Sequence, residues 1–133
     1  MARSANDFPT ELELQLLKIL WDESPRTARE IRDALAGRGR DLAHTSVITT
    51  LQKMVDKGQL KQLDPVEGKA YRFQPQMSKK QVSRGMLGDL LKRVFDGSAE
   101  AVMLSLFDVT ELDDETIKRL RRAFNDKLRE QKS

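Results

Sequence analysis

Cysteine is absent from the 133 residues, which excludes disulfides, thiolate metal sites and a cysteine nucleophile. That absence is compatible with a reducing compartment, and the cytoplasm is the expected location. Histidine occurs once, at His44, and one imidazole cannot form a metal site alone. No metal or cofactor is expected. Long apolar runs are missing too: nothing approaches the roughly 18 residues that a membrane span requires, and Met1 to Asp7 holds no run of signal-peptide length. There is no nucleophile elbow and no phosphate-cradling glycine loop, so the chain is not read as an enzyme. The acidic cluster Asp113-Asp114-Glu115 is explained by capping and the dipole of a helix start. A large excess of charge is also lacking. The net charge is +3 and the isoelectric point about 9.3, yet residues 1–77 carry 12 Lys and Arg against 11 Asp and Glu. Bulk charge permits nucleic-acid binding without arguing for it, so placement has to carry the case.

What is present is helical periodicity. With 38% hydrophobic and 34% charged residues, four prolines and seven glycines, the composition fits a soluble, helix-rich domain with a smaller appendage. Thr10 is a capping residue with Glu11 and Glu13 in the following turn, and Leu12, Leu16, Ile19 and Leu20 fall at helical spacing, with Leu17 and Trp21 beside them. A second helix opens at Thr27, three residues before Glu30 at capping-box spacing, with Ala28, Ile31 and Leu35 inward. Gly37 and Gly39 break the pattern in the loop Ala36 to Arg40. A third helix is expected to start near Thr45 or Ser46 and to end at Gly58, with Val47, Leu51, Met54 and Val55 inward. Leu60 to Phe73, divided by a Pro65 to Gly68 turn, predicts a β-hairpin in which Tyr71 and Phe73 alternate with Ala70 and Arg72. Three helices and a hairpin in that order describe a winged helix-turn-helix, with the hairpin as the wing.

From Ser78 the period returns to helix. Leu87, Leu90, Leu91, Val94 and Phe95 precede a break at Asp96-Gly97-Ser98. Val102, Met103, Leu106 and Phe107 follow, then Ile117, Leu120, Phe124 and Leu128 in a last helix. None of the three tail helices has enough apolar neighbours to bury its face alone, and pairing with a second copy answers that. The fold class is therefore mainly α with a small β-hairpin: a winged-helix DNA-binding domain at 1–77 and a helical dimerisation domain at 78–133. The dimer contacts are assigned to Leu87, Leu90, Leu91, Val94, Val102, Met103, Leu106, Ile117, Leu120, Phe124 and Leu128.

Several segments in this order have family precedent: Thr10-Glu-Leu-Glu-Leu with Leu20-Trp21, Thr27-Ala-Arg-Glu-Ile31, Val47 through Lys57-Gly58, Gly68-Lys-Ala-Tyr-Arg-Phe73, and Asp96-Gly97-Ser98. With them the chain resembles, from Thr10 to Leu128, the penicillinase-repressor family of bacterial winged-helix regulators, which includes the β-lactamase and methicillin-resistance repressors. The resemblance implies a homodimer on a palindromic operator in double-stranded DNA that represses neighbouring genes by occluding their promoters. In the β-lactamase branch a membrane-embedded metalloprotease sensor relieves repression by cleaving an Asn-Phe bond in the tail. Ser105-Leu106 stands at that place here. The copper-responsive branch carries a cysteine-rich motif, which this chain lacks.

Base reading is expected from the first turns of the third helix: His44, Thr45, Ser46, Thr49, Thr50 and Lys53. Thr27 and Arg29, at the start of the second helix, are expected to clamp a phosphate, and Lys69 and Arg72 of the wing to touch the backbone. Arg38 and Arg40 are read as a solvated loop, and Lys118-Arg119 and Arg121-Arg122 as an exposed helix face. Two other readings stay open. One is a winged-helix protein-interaction module that dimerises but binds no DNA, which the balanced charge of residues 1–77 favours. The other is a regulator whose DNA affinity responds to a small molecule.

Overall fold

The computed structural model describes residues 8–132, so the Met1 to Asp7 stretch lies outside the described residues. Its elements run α1 (Glu11–Asp22), β1 (Arg26–Thr27), α2 (Ala28–Gly37), α3 (His44–Asp56), β2 (Leu60–Leu63), β3 (Arg72–Pro75), α4 (Lys79–Arg93), α5 (Ala99–Val109) and α6 (Asp114–Lys132). Among the described residues, six helices and one small antiparallel sheet make the winged helix with a helical tail that the periodicity predicts. Two compact units divide the chain, one ending at Asp89 and the other beginning at Leu90.

The first unit is built by local capping and a shared core. At α1 the Thr10 hydroxyl accepts from the Glu13 N–H at 3.2 Å, and Glu13 accepts from the Thr10 N–H at 2.9 Å. Thr27 and Glu30 repeat the arrangement at α2 at 3.2 and 2.9 Å. Ser78 and Gln81 repeat it at α4, at 3.0 and 2.7 Å, so three helices begin with reciprocal capping boxes. The apolar faces then meet in one cluster: Leu16, Leu17, Ile19 and Leu20 of α1, Ile31 and Leu35 of α2, Val47, Leu51 and Met54 of α3, Leu60 of β2 and Phe73 of β3.

Three local features depart from the sequence expectation. First, α2 continues through Gly37, so Ala36 and Gly37 finish its last turn before Arg38. Second, α3 begins at His44 behind Ala43, which provides no side-chain cap, although Thr45 and Ser46 are better capping residues. Burial decides this start: Leu42 packs on the core and Val47 is inside it, the two positions of a hydrophobic staple around an Ala43 cap. Third, the hairpin gains a partner, because β1 pairs with β3 through Arg26↔Phe73 and Thr27↔Arg72, giving the order β1-β3-β2. The paired register reaches only Arg72 on that side, which leaves Tyr71 in the loop and exposed while Phe73 is buried. At the other end, the Trp21 indole N–H donates to the Met77 carbonyl at 2.9 Å, fixing the approach to α4 against α1.

One charged group sits in this core. Glu13 is buried, and besides the Thr10 N–H it accepts from Lys57 Nζ at 2.8 Å and Gln59 Nε2 at 3.3 Å. Burial alone would raise its carboxyl pKa. Hydrogen bonds from Lys57, Thr10 and Gln59, together with the Lys57 charge, outweigh that and hold it below the ordinary value. The folded protein therefore binds fewer protons at this site than the unfolded chain. Its contribution is fully present above about pH 4.5, the ordinary glutamate value, and is lost as pH falls through the lower folded value. Glu13→Gln is accordingly expected to be less stable than wild type near neutrality, with a shallower loss on acidification. Urea midpoints at neutral and acid pH check this, and parallel acid curves for the two proteins would refute it.

In the second unit, Asp96 (φ 51°) and Gly97 (φ 85°) take left-handed conformations, and the Gly97 N–H donates to the Leu91 carbonyl at 2.8 Å. A glycine tolerates that turn without steric cost, which is why the sequence break falls there. Ser98 then caps α5 by accepting from the Ala101 N–H at 3.1 Å. Asp113 accepts from the Thr116 N–H at 2.8 Å. The hydrogen bonds from Thr116 lower the pKa of the Asp113 carboxyl, in keeping with a capping role for the acidic cluster. Neither α5 nor α6 has a buried residue.

Candidate nucleic-acid interface

The outward face of α3 follows from its inward one. With Val47, Leu51 and Met54 fully buried, a helix advancing about 100° per residue turns Thr45, Thr49, Gln52 and Lys53 away from the core. All four are exposed, as are His44 and Ser46. Thirteen residues make a rod about 20 Å long, a size the major groove admits. The amino-terminal end of α3 has no acidic residue in its first turn and no side-chain cap, so its partial positive charge is unopposed by its own sequence.

Thr50 departs from this face. It is half-buried on the flank nearer the core, and its hydroxyl donates to the Ser46 carbonyl at 2.9 Å. Its proton is spent inside the helix, leaving the oxygen lone pairs and the methyl group for any outside partner.

Thr27 ends β1 and caps α2. Its N–H is engaged by Glu30 and its oxygen accepts from the Glu30 N–H, so the hydroxyl proton is what it can offer a phosphate. Hydrogen bonds from the Thr27 backbone and side chain lower the Glu30 pKa, keeping an anion at the start of α2 next to the expected phosphate position. Arg29 is exposed beside it.

The wing divides its two cations. Lys69 is exposed in the turn, while Arg72 is half-buried in β3, and its buried Nε has no hydrogen-bond partner. Lys69 is therefore the freer of the two to reach a backbone. Arg38 and Arg40 are occupied within the fold, Arg38 with Asp22 at 2.6 Å and Arg40 with Gln15 at 2.7 Å.

The structure also gathers residues that the sequence pattern passed over. A groove of about 330 Å³ runs between the start of α2, the flank of α3 and the wing, lined by Ala28, Arg29, His44, Ile48, Gln52, Ala70, Tyr71 and Phe73. Gln52 donates from Nε2 to Gln62 Oε1 of β2 at 3.0 Å, which ties α3 to the wing. A helical projection would have found Gln52, which lies between Ile48 and Thr45 on the wheel. Among the described residues no group of three or more His, Cys, Asp or Glu is arranged to hold a metal.

A match to the penicillinase repressor family covers residues 9–126, a span that includes the capped helices, the outward face of α3, the wing and most of the tail. The chain belongs to the penicillinase repressor family. It is 31% identical over 106 residues to the transcriptional regulator BlaI of Mycobacterium tuberculosis strain CDC 1551 / Oshkosh, covering 78% of this chain and 75% of the relative. The same regulator from strain ATCC 25618 / H37Rv matches to the same degree. A penicillinase repressor is a transcriptional regulator and not an enzyme, in agreement with a composition that offers no catalytic constellation. No described helix of this penicillinase repressor is long and apolar enough to cross a membrane.

Proposed function

We propose that this penicillinase repressor acts in the cytoplasm as a homodimer that occupies a palindromic operator in double-stranded DNA and blocks neighbouring promoters. The observation that carries the reading is the two-sided α3: one face is locked into the core while the other presents hydroxyls and an ammonium to solvent. Thr45, Ser46, Thr49 and Lys53 read base edges, with His44 and Thr50 at the margins. Arg29, Thr27, Lys69 and Arg72 set the register on phosphates. Twofold symmetry predicts half-sites about one helical turn apart, roughly 34–36 Å.

The tail supplies the second copy's contact. Leu87, Leu90, Val94, Met103, Leu106, Ile117, Leu120, Phe124 and Leu128 are exposed, and Leu91 and Val102 are half-buried; such an apolar surface favours self-association. Ser105–Leu106 replaces the Asn-Phe bond that the β-lactamase branch has cleaved, a departure that argues against relief by a membrane-embedded metalloprotease sensor at that same bond. That bond lies inside α5, so α5 would have to open before a protease could take it as extended chain.

Selection of bound sequences from random duplex DNA tests the reading. Wild type is expected to enrich a palindrome, and Thr49→Ala with Lys53→Ala to lose information within each half-site. The balanced charge of residues 1–77 favours a second reading, a dimeric interaction module. Absence of any enriched sequence at every salt concentration, from folded dimer, would establish that alternative, because phosphate contacts impose a salt-dependent affinity that such a module lacks.

A further inference from the structure

We propose that Ile48 and Tyr71 form an apolar seat for the 5-methyl group of one thymine in each operator half-site, making them specificity determinants alongside the polar face of α3. The inference rests on the repressor reading and names one base-edge partner within it.

Ile48 is an anomaly on its helix. The inward stripe of Val47, Leu51 and Met54 fills the core, yet Ile48 lies outside that stripe and is 37% exposed. Tyr71 faces the same groove from the wing loop and is 50% exposed, because strand pairing stops at Arg72. With Ala70 and Phe73 they give the groove a mostly apolar wall. His44 and Gln52, one turn before and after Ile48, also line it, so the seat is continuous with the groove-reading face.

Chemistry selects the occupant. Among the groups by which base pairs are told apart in the major groove, the thymine methyl is the one alkyl group, and the others are donors and acceptors. A donor or acceptor set against Ile48 would lose water without gaining a partner, whereas the methyl gains burial. Gln52, steadied by Gln62, keeps a carbonyl oxygen beside the seat for a neighbouring base edge.

The test is a uracil scan of the palindrome recovered by selection, which deletes one methyl at a time and leaves base pairing intact. Wild type is expected to lose about fourfold in affinity at one thymine per half-site, the effect of leaving one methyl unburied, and to be indifferent elsewhere. Ile48→Ala is expected to bind the thymine site more weakly and to lose most of the thymine–uracil difference at that position. Val66→Ala, in the wing turn away from the groove, is expected to retain it. A site at which no uracil weakens wild type, or at which Ile48→Ala discriminates as wild type does, overturns the methyl seat alone. Equal weakening of Ile48→Ala on thymine and uracil sites, with the difference preserved, also overturns it and assigns Ile48 to the sugar-phosphate backbone. Failure to recover any bound duplex overturns the repressor reading and the seat with it.

Discussion

Leu120→Glu combined with Phe124→Glu is expected to yield a folded monomer whose operator affinity is at least about 100-fold below wild type. Ile117, Leu120, Phe124 and Leu128 form one stripe along α6, in a helix otherwise dominated by charged residues and with no buried side chain. In the proposed dimer this stripe is covered by the partner copy. Two carboxylates placed there would have to lose water without a counter-charge, a cost that exceeds the gain from the remaining apolar contacts. Losing the dimer uncouples the half-sites: two linked reading heads gain roughly 10²–10⁴ over one through effective concentration alone. The winged helix should survive, because its core of α1–α3, β2 and β3 is formed by other residues. Sedimentation equilibrium and operator titration check the pair of outcomes. A double variant that remains dimeric would move the interface away from α6.

Leu51→Ala is expected to cost about 2–5 kcal/mol of folding stability, the range for truncating a buried leucine. Leu51 is fully buried in the core cluster shared by α1, α2, α3, β2 and β3, so the cavity left behind has little chance to close. Thr49→Ala, two residues earlier on the opposite face, is expected to change stability by less than about 0.5 kcal/mol, yet to weaken operator binding by about 1–3 kcal/mol. Urea unfolding and operator titration, run on both variants well below the melting temperature, separate the two. The expected pattern is a lower urea midpoint for Leu51→Ala with near-normal affinity in its folded fraction, and the converse for Thr49→Ala. Comparable stability losses in both would show that Thr49 also packs against the fold.

The elements legible in the sequence are those whose causes are local. Thr10 and Thr27 announce helix starts because a capping box is completed within four residues. Gly58 (φ 81°) marks the end of α3 because only a residue without a side-chain penalty turns there cheaply. The inward residues of α1, α2 and α3 follow from period alone: most lie in the core, and Leu12, Trp21, Ala28 and Val55 pack half-buried against it. Other features have causes distant along the chain. Two-residue β1 shows no alternation and exists because Arg26 and Thr27 pair with Phe73 and Arg72. The start of α3 at His44 falls one or two residues before Thr45 or Ser46, where capping preference points, because the packing of Leu42 and Val47 on the core prevails.

The candidate interface divides along the same line. The hydroxyl-rich face of α3 was visible from helical spacing, as was the cationic wing turn at Lys69. The engagement of Thr50 with Ser46, the half-burial of Arg72, the ion pair of Arg38 with Asp22 and the groove between Ile48 and Tyr71 were not. By itself, the sequence determined the order of helices and hairpin, the faces they bury and the residue types on offer, because periodicity and capping are properties of neighbours along the chain. Tertiary structure alone decided which polar groups stay available and which apolar ones remain uncovered. Those outcomes depend on residues far apart along the chain, Glu13 paired with Lys57 and Ile48 lining one groove with Tyr71, juxtapositions that no local pattern encodes.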